Sequence, residues 1–431
     1  MKNRAWFKIH SFIGVVTGLL MFIICWSGSF AVISNELDWL VTPELRVKPA
    51  EEKASWAAII NAVKNRYPDA HINWISTPLY TQSAAQIRVD LSNQKWLWVY
   101  VDPYSAKVLG AYSYFNIQRF FRSFHRELFL PEVGYYLVTI SSFTILTSLI
   151  AALMFYRRWW RRFFRWPSKL GRAFWSDLHK VVGLWSLWFT LLIGITGLWY
   201  LTERILNDFA SSSETIISTV QKEHITTVES GIIKIDELLH KAKTLRPDID
   251  LRSIFIEPNS LEIDGQADDL LVKDRANHIQ LDRKTGNVLS NQTPDNYGMY
   301  LRLSDTADPL HFGYFGGLWT KVIWFVLGLL LSGIIFSGTY LHAQRLATKA
   351  GERYRWASTG AATGVTLLIL IASVRFAFTE GLEYGPTING VKYLPTLATG
   401  VKTVITCWVL LTVIIIGGWT WMLWRPALQQ P

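Results

Sequence analysis

Cysteine is nearly absent from this chain of 431 residues: Cys25 and Cys407 are the only two, and both sit inside apolar runs. That excludes a CxxC metal site and a disulfide within a soluble domain, and it carries no information on redox compartment. Packing is the expected role of both thiols. Nucleotide signatures are missing too: there is no Walker loop, no GxGxxG after a strand, no HExxH and no GxSxG. Any flavin or nicotinamide chemistry would therefore have to come from a separate donor.

What is abundant is apolar and aromatic surface. Half the residues are hydrophobic, with 21 Trp, 17 Tyr and 23 Phe, which points to a membrane protein with substantial soluble parts. Six runs are long enough to cross about 30 Å of hydrocarbon, namely 11–33, 134–156, 181–201, 318–341, 360–378 and 403–424. The first is too long for a secretory signal and has no small-residue cleavage site after it, so it reads as an anchor. Lys2, Arg4 and Lys8, the segment "RRWWRRFFRWPSKLGR", and Arg345, Lys349, Arg353 and Arg355 crowd one set of connections. The positive-inside rule places these, with both termini, in the cytoplasm, and the polar stretches 41–120 and 203–310 outside it. In a bacterium that side is the periplasm. The net charge of +10 is then a topology signal, and no nucleic-acid partner is expected.

The chain repeats itself. "HSFIGVVTGLLMFIICWSG" and "HKVVGLWSLWFTLLIGITG" set His10, Gly14 and Gly28 at the same offsets as His179, Gly183 and Gly197, with Ser27 and Thr196 before the last glycine. "AAIINAVKNRYPDAHINWIS" and "DELLHKAKTLRPDIDLRSIF" each read as an amphipathic helix, a Pro-Asp turn and a strand. "VYVDPYSAKVLG" and "IQLDRKTGNVLS" read as hairpins turning after Asp102 and Asp282. "FHRELFL" and "LHFGYFGG" then place His125 and His311 before the second and fourth spans. The expected fold is an α-helical polytopic membrane protein: duplicated helix–(α+β domain)–helix units forming a four-helix core, plus two C-terminal transmembrane helices outside the repeat.

Four of the nine histidines thus occupy repeated positions at membrane interfaces, His10 with His179 on one face and His125 with His311 on the other. His342, at the inner end of the fourth span, has no clean counterpart. An ionisable side chain at such a depth marks a functional path, and neutral imidazole is a common axial ligand of haem iron in electron-transfer proteins. Gly14 and Gly183, one turn after their histidines, would leave room for the edge of a flat macrocycle. Zinc is a weaker match, since only Asp177 near His179 and Glu127 near His125 offer further donors. A lone interfacial histidine is ordinarily a solvated anchor, and GVVTG alone is a helix-packing motif; the paired repetition favours the metal. His71, His224, His240 and His278 lack repeated partners and read as surface or structural residues.

Together these motifs resemble PepSY-associated transmembrane proteins. The resemblance runs over roughly residues 5–345 and rests on His10/Gly14, His179/Gly183, Phe124-His125-Arg126, His311–Gly317 and the hairpins of Asp102 and Asp282. Ala106 departs from it, standing where the second hairpin has glycine. The resemblance implies an inner-membrane reductase of iron–siderophore complexes, of the ferrioxamine-reductase type, with two haem b. His10 and His179 would ligate one haem and His125 and His311 the other, with His342 as substitute for an inner ligand. Electrons would come from quinol or a cytoplasmic flavin reductase and go to a periplasmic ferric siderophore. Arg119, Phe121, Arg122, Arg126, Tyr314 and Phe315 are candidates for docking it. The implied divisions are 1–40 (N-terminus and first span), 41–125 (first PepSY-like domain), 126–202 (second and third spans), 203–310 (second PepSY-like domain), 311–345 (fourth span) and 346–431 (fifth and sixth spans). A non-enzymatic PepSY-domain binding or regulatory protein is the alternative, and a transporter a weaker third.

Overall fold

The computed structural model describes residues 2–94, 96–164, 166, 172–214, 234–269, 271–347 and 353–428. His224 and Lys349 fall outside the described residues, as does part of the basic segment between the second and third spans.

The first apolar run forms two helices, α1 (Lys2–Val16) and α2 (Gly18–Val32), bent by 67° at Thr17. The third run breaks in the same way, into α7 (Arg172–Trp185) and α8 (Leu187–Glu214), at Ser186. Thr17 and Ser186 each stand seven residues after His10 and His179. Their hydroxyls donate to the carbonyls four residues back, Ile13 at 2.9 Å and Val182 at 2.8 Å, a back-bond that bends helices. Between these pairs come the short helices α3 (Ser34–Val41), α4 (Trp56–Arg66) and α5 (Ile117–Glu127), and the span α6 (Val133–Phe155). After α8 come α9 (Ile235–Leu245), α10 (Met299–Phe312), α11 (Gly317–Ala347), α12 (Arg353–Glu383) and α13 (Thr399–Leu428). Among the described residues five helices are long and apolar enough to cross a membrane, or six if the bent α1–α2 pair is one span. In the bundle α2 packs along α11, α6 along α8, α1 along α6, and α7 along α11.

The extramembrane segments form β1 (His71–Ser76), β2 (Ala85–Asp90), β3 (Leu97–Val101), β4 (Val108–Ser113), β5 (Asp250–Ile256), β6 (Ser260–Gln266), β7 (His278–Asp282) and β8 (Val288–Gln292). The two expected domains are not separate. Their strands join in one antiparallel sheet of order β4-β3-β2-β1-β5-β6-β7-β8. The junction pairs Trp74 with Phe255, Ile75 with Ile254 and Ser76 with Ser253, and the Trp74 and Phe255 rings stack at 5.9 Å. Cross-strand aromatic pairs of this kind hold a sheet together. Helices α4 and α9 share one core with it, built from Ile59, Val63, Ile75, Val99, Leu238 and Ile254 among others.

Both hairpin aspartates are turn formers. Asp102 Oδ1 accepts the Tyr104 N–H at 2.9 Å, and Asp282 Oδ1 accepts those of Lys284 and Thr285 at 2.8 and 2.7 Å. The next requirement is a left-handed residue, supplied by Gly286 (φ 68°) in one hairpin and by Ala106 (φ 55°) in the other. The C-terminal connection carries a further small hairpin, β9 (Thr387–Ile388) and β10 (Val391–Lys392). It turns on Asn389 and Gly390, both at positive φ, the signature of a two-residue hairpin turn.

Two paired-histidine cavities as the candidate functional site

Each soluble half delivers one histidine to the sheet-side end of the bundle, on the last turn of a short helix. Helix α5 stops after His125 because Leu128 turns left-handed, and α10 stops after His311 at Gly313 (φ 68°). The two imidazole centroids lie 6.1 Å apart with planes inclined by 36°. They line a cavity of about 380 Å³, within the usual range of about 300–1,000 Å³ for ligand sites. Its walls come from α2, α6, α8 and α11, and Gln118, Arg122 and Arg126 of α5 also line it.

The second pair stands at the other end of the bundle. His10 of α1 and His179 of α7 have centroids 6.3 Å apart and planes inclined by 64°. Their cavity, about 370 Å³, is lined mainly by apolar side chains, with Arg172, Lys180 and Arg345 and the hydroxyls of Ser11, Ser148, Ser176 and Thr190 among the polar ones. Gly14 and Gly183 line it too, and a Cβ added at either would meet nothing within 4 Å. Glycine clears the opposite walls as well: a Cβ on Gly28 would lie 2.6 Å from His125 Cε1, and one on Gly338 would lie 3.1 Å from His179 Cε1. Ile145 and Leu331 line both cavities, so the two spaces share a wall.

Hydrogen bonds fix the tautomer of all four rings. His125 Nδ1 meets the Ile24 carbonyl at 2.9 Å and His10 Nδ1 meets the Ser148 carbonyl at 3.0 Å, so both must donate. His179 Nδ1 lies 3.0 Å from Ser337 Oγ and His311 Nδ1 lies 2.8 Å from Thr196 Oγ1. Those hydroxyls already donate to carbonyls of their own helices, Ile334 at 3.0 Å and Leu192 at 2.9 Å, so again the ring nitrogen donates. Every Nδ1 is thus the protonated one, leaving Nε2 with its lone pair as the atom available to accept or ligate. Orientation of an imidazole through its other nitrogen is the ordinary support of a metal-binding histidine.

The remaining candidates separate by helix face. Arg122, Arg126 and Tyr314 line the sheet-side cavity. Phe121 does not offer a docking surface, because it is fully buried against Phe30 and Trp408. Arg119 is engaged by Glu380 at 2.7 Å, and Phe315 packs edge-on against Trp324 at 5.4 Å. His342 lies outside both cavities and meets Ser11 Oγ through Nδ1 at 2.9 Å. Cys25 lines the sheet-side cavity, whereas Cys407 is exposed on α13. Asp308, one turn before His311, faces the same cavity but is taken by the Tyr200 hydroxyl at 2.7 Å and by Lys273 at 3.1 Å. Among the described residues no three His, Cys, Asp or Glu side chains converge on one point.

The supporting residues Ser148, Ser337 and Thr196 escape a reading of histidines alone. Their sequence signal is a small hydroxyl within an apolar span, and Thr196 is the residue that precedes the repeated glycine.

Comparison with known families decides the ancestry. The model of the PepSY-associated TM region matches residues 7–345. The chain belongs to that family. All four paired histidines of this PepSY-associated protein lie inside the matched stretch, and the whole of α12 and α13 lies beyond it. An uncharacterized protein of Pseudomonas aeruginosa is 24% identical over 260 residues, covering 54% of this chain and 64% of its own length. The chain thus spans just under two thirds of that relative.

Proposed function

We propose that this protein is a transmembrane di-haem b oxidoreductase, with one haem held by His125 and His311 and the other by His10 and His179. The observation that carries the reading is the two pairs of Nδ1-protonated imidazoles at centroid distances of 6.1 and 6.3 Å. Each pair offers two imidazoles, the number of protein ligands a b-type haem would take. Bound haem supplies one-electron oxidation and reduction. The chain's own contribution is to hold each Nε2 in place through Nδ1, to exclude water with apolar walls, and to offset the cofactor's carboxylates with Arg122 and Arg126 at one cavity and Arg172, Lys180 and Arg345 at the other.

The electron path runs from quinol or a cytoplasmic flavin reductase at the far side to a ferric siderophore at the sheet side, in a bacterial inner membrane with both termini cytoplasmic. Siderophores hold Fe(III) through hard oxygen donors that bind Fe(II) less strongly, so adding one electron loosens the chelate. Arg122, Arg126 and Tyr314 remain the residues for docking the acceptor. The two halves of the sheet and bundle are read as copies of one helix–(α+β)–helix unit, supported by the matching breaks at Thr17 and Ser186 and the matching hairpins.

Purified protein from haem-sufficient cells is expected to show reduced-minus-oxidised bands of b-type haem, with two haems per chain. A colourless, iron-free preparation would sink the proposal. If His125→Ala and His311→Ala leave the cellular function intact, the non-enzymatic binding or regulatory reading takes its place.

A further inference from the structure

Helices α12 and α13 lie entirely outside the stretch that matches the family, yet they are tied to the helix that carries His125. Glu380, near the end of α12, receives two hydrogen bonds on one oxygen, from Arg119 Nε at 2.7 Å and Ser123 Oγ at 2.9 Å. Arg119 and Glu380 side chains are only 18% and 14% exposed, so little solvent screens the pair. The Arg119 guanidinium also lies between the Tyr114 and Tyr384 rings, 5.5 and 5.4 Å from their centroids. On the adjoining face Phe120, Phe121 and Phe124 surround Trp408 of α13 at 5.8, 5.1 and 5.5 Å. Helical periodicity leaves Gln118, Arg122 and His125 on the cavity side. Helix α5 is short, with 11 residues, too few to be stable on intrinsic propensity.

We infer that Glu380 is a positioning residue: through Arg119 and Ser123 the C-terminal helix pair fixes the rotation of α5 and thereby the placement of His125 in the sheet-side cavity. The role rests on the reading of His125 as a ligand, but the clamp itself does not require a cofactor. His179 is held instead by Ser337 of α11.

The test uses the full-length protein with Glu380→Ala, Glu380→Gln and Glu380→Asp, read in two ways. Amide hydrogen exchange over residues 117–127 is expected to accelerate about tenfold in E380A, with 172–185 unchanged, as a lost pair of charge-assisted bonds requires. The low-spin ferric electron-paramagnetic signature of the sheet-side haem is expected to shift and broaden while the far-side signature stays fixed. E380D restores both readouts and E380Q falls between. Unchanged exchange in 117–127, or an equal rise in 172–185, overturns the inference. So does an unaltered sheet-side signature in a variant whose α5 exchanges faster. A wild-type protein without haem overturns the proposed function and the part of this inference concerning ligation, while the exchange data still decide whether Glu380 clamps α5.

Discussion

The sheet-side and far-side cavities nearly match in volume and in imidazole spacing, yet they are supported by different parts of the chain. At the sheet side the histidines ride on short helices that close the two soluble halves, and α5 is braced from outside the family core. At the far side they ride on α1 and α7, each of which continues, past a hydroxyl-induced break, into a membrane helix. Ring planes inclined by 36° at one site and 64° at the other follow from these separate supports. The lesson is that nearly one imidazole spacing is reached on two different sets of helices, so each pair can be perturbed with the other as control.

The largest expected effect breaks the pairing outright. His125→Ala or His311→Ala is expected to lower the haem count from two to one per chain and to leave the far-side signal, and His10→Ala or His179→Ala the reverse; pyridine-haemochrome quantification checks both. Loss of both haems from any one substitution would contradict the independence of the sites.

A second comparison separates the two halves of the sheet. Arg88 opposite Trp98 and Asp264 opposite His278 hold equivalent register positions, since each partner lies four residues before its hairpin aspartate. Arg88 is stacked over Trp96 at 3.4 Å, whereas Asp264 is buried, and burial pushes its carboxyl up to about 7, helped by the charge of Asp274. A folded-state value above the unfolded one means that the folded protein binds the extra proton. Its stabilising contribution is therefore full below about pH 4 and is lost as pH rises through about 7, a change of order 2–4 kcal/mol. Denaturant titrations at pH 5 and pH 8 check it, and Asp264→Asn is expected to flatten the slope. Asp38, which accepts the first amides of α5 from Ile117 and Gln118 at 3.0 and 2.8 Å, is raised by burial to about 7 in the same sense.

A subtler contrast lies between the two glycines that clear the rings. Gly28→Ala forces a Cβ to within 2.6 Å of the His125 imidazole and is expected to cost about 1–3 kcal/mol in sheet-side haem retention, while Gly338→Ala, with more room, costs less than about 1 kcal/mol. Haem transfer to apomyoglobin measures both. The smallest effect concerns the hairpins: Ala106→Gly relieves a left-handed alanine and is expected to stabilise the protein by about 1 kcal/mol, and Gly286→Ala to destabilise it by a similar amount. Equal and opposite shifts in thermal midpoint would sharpen the equivalence of the two turns.

Much of this was legible in the sequence because it is local or repeated. The spans follow from hydropathy, His10 and His179 from equal offsets to their glycines, and His125 and His311 from their places before the second and fourth spans. The β1–β5 junction was not legible, since Trp74 and Phe255 belong to different halves and nothing local marks their pairing. Nor does the sequence separate His342 from the paired histidines, because its place outside both cavities is a matter of direction within the bundle. For Arg119 and Phe121 the signal is simpler: helical periodicity sets 118, 122 and 125 on one face and 119 and 123 on another. The Asn389-Gly390 turn carries its own local signal.

Independence of the two sites has one limit, the wall formed by Ile145 and Leu331. These two side chains line both spaces, so a change in the size of either is expected to be felt in both compartments at once.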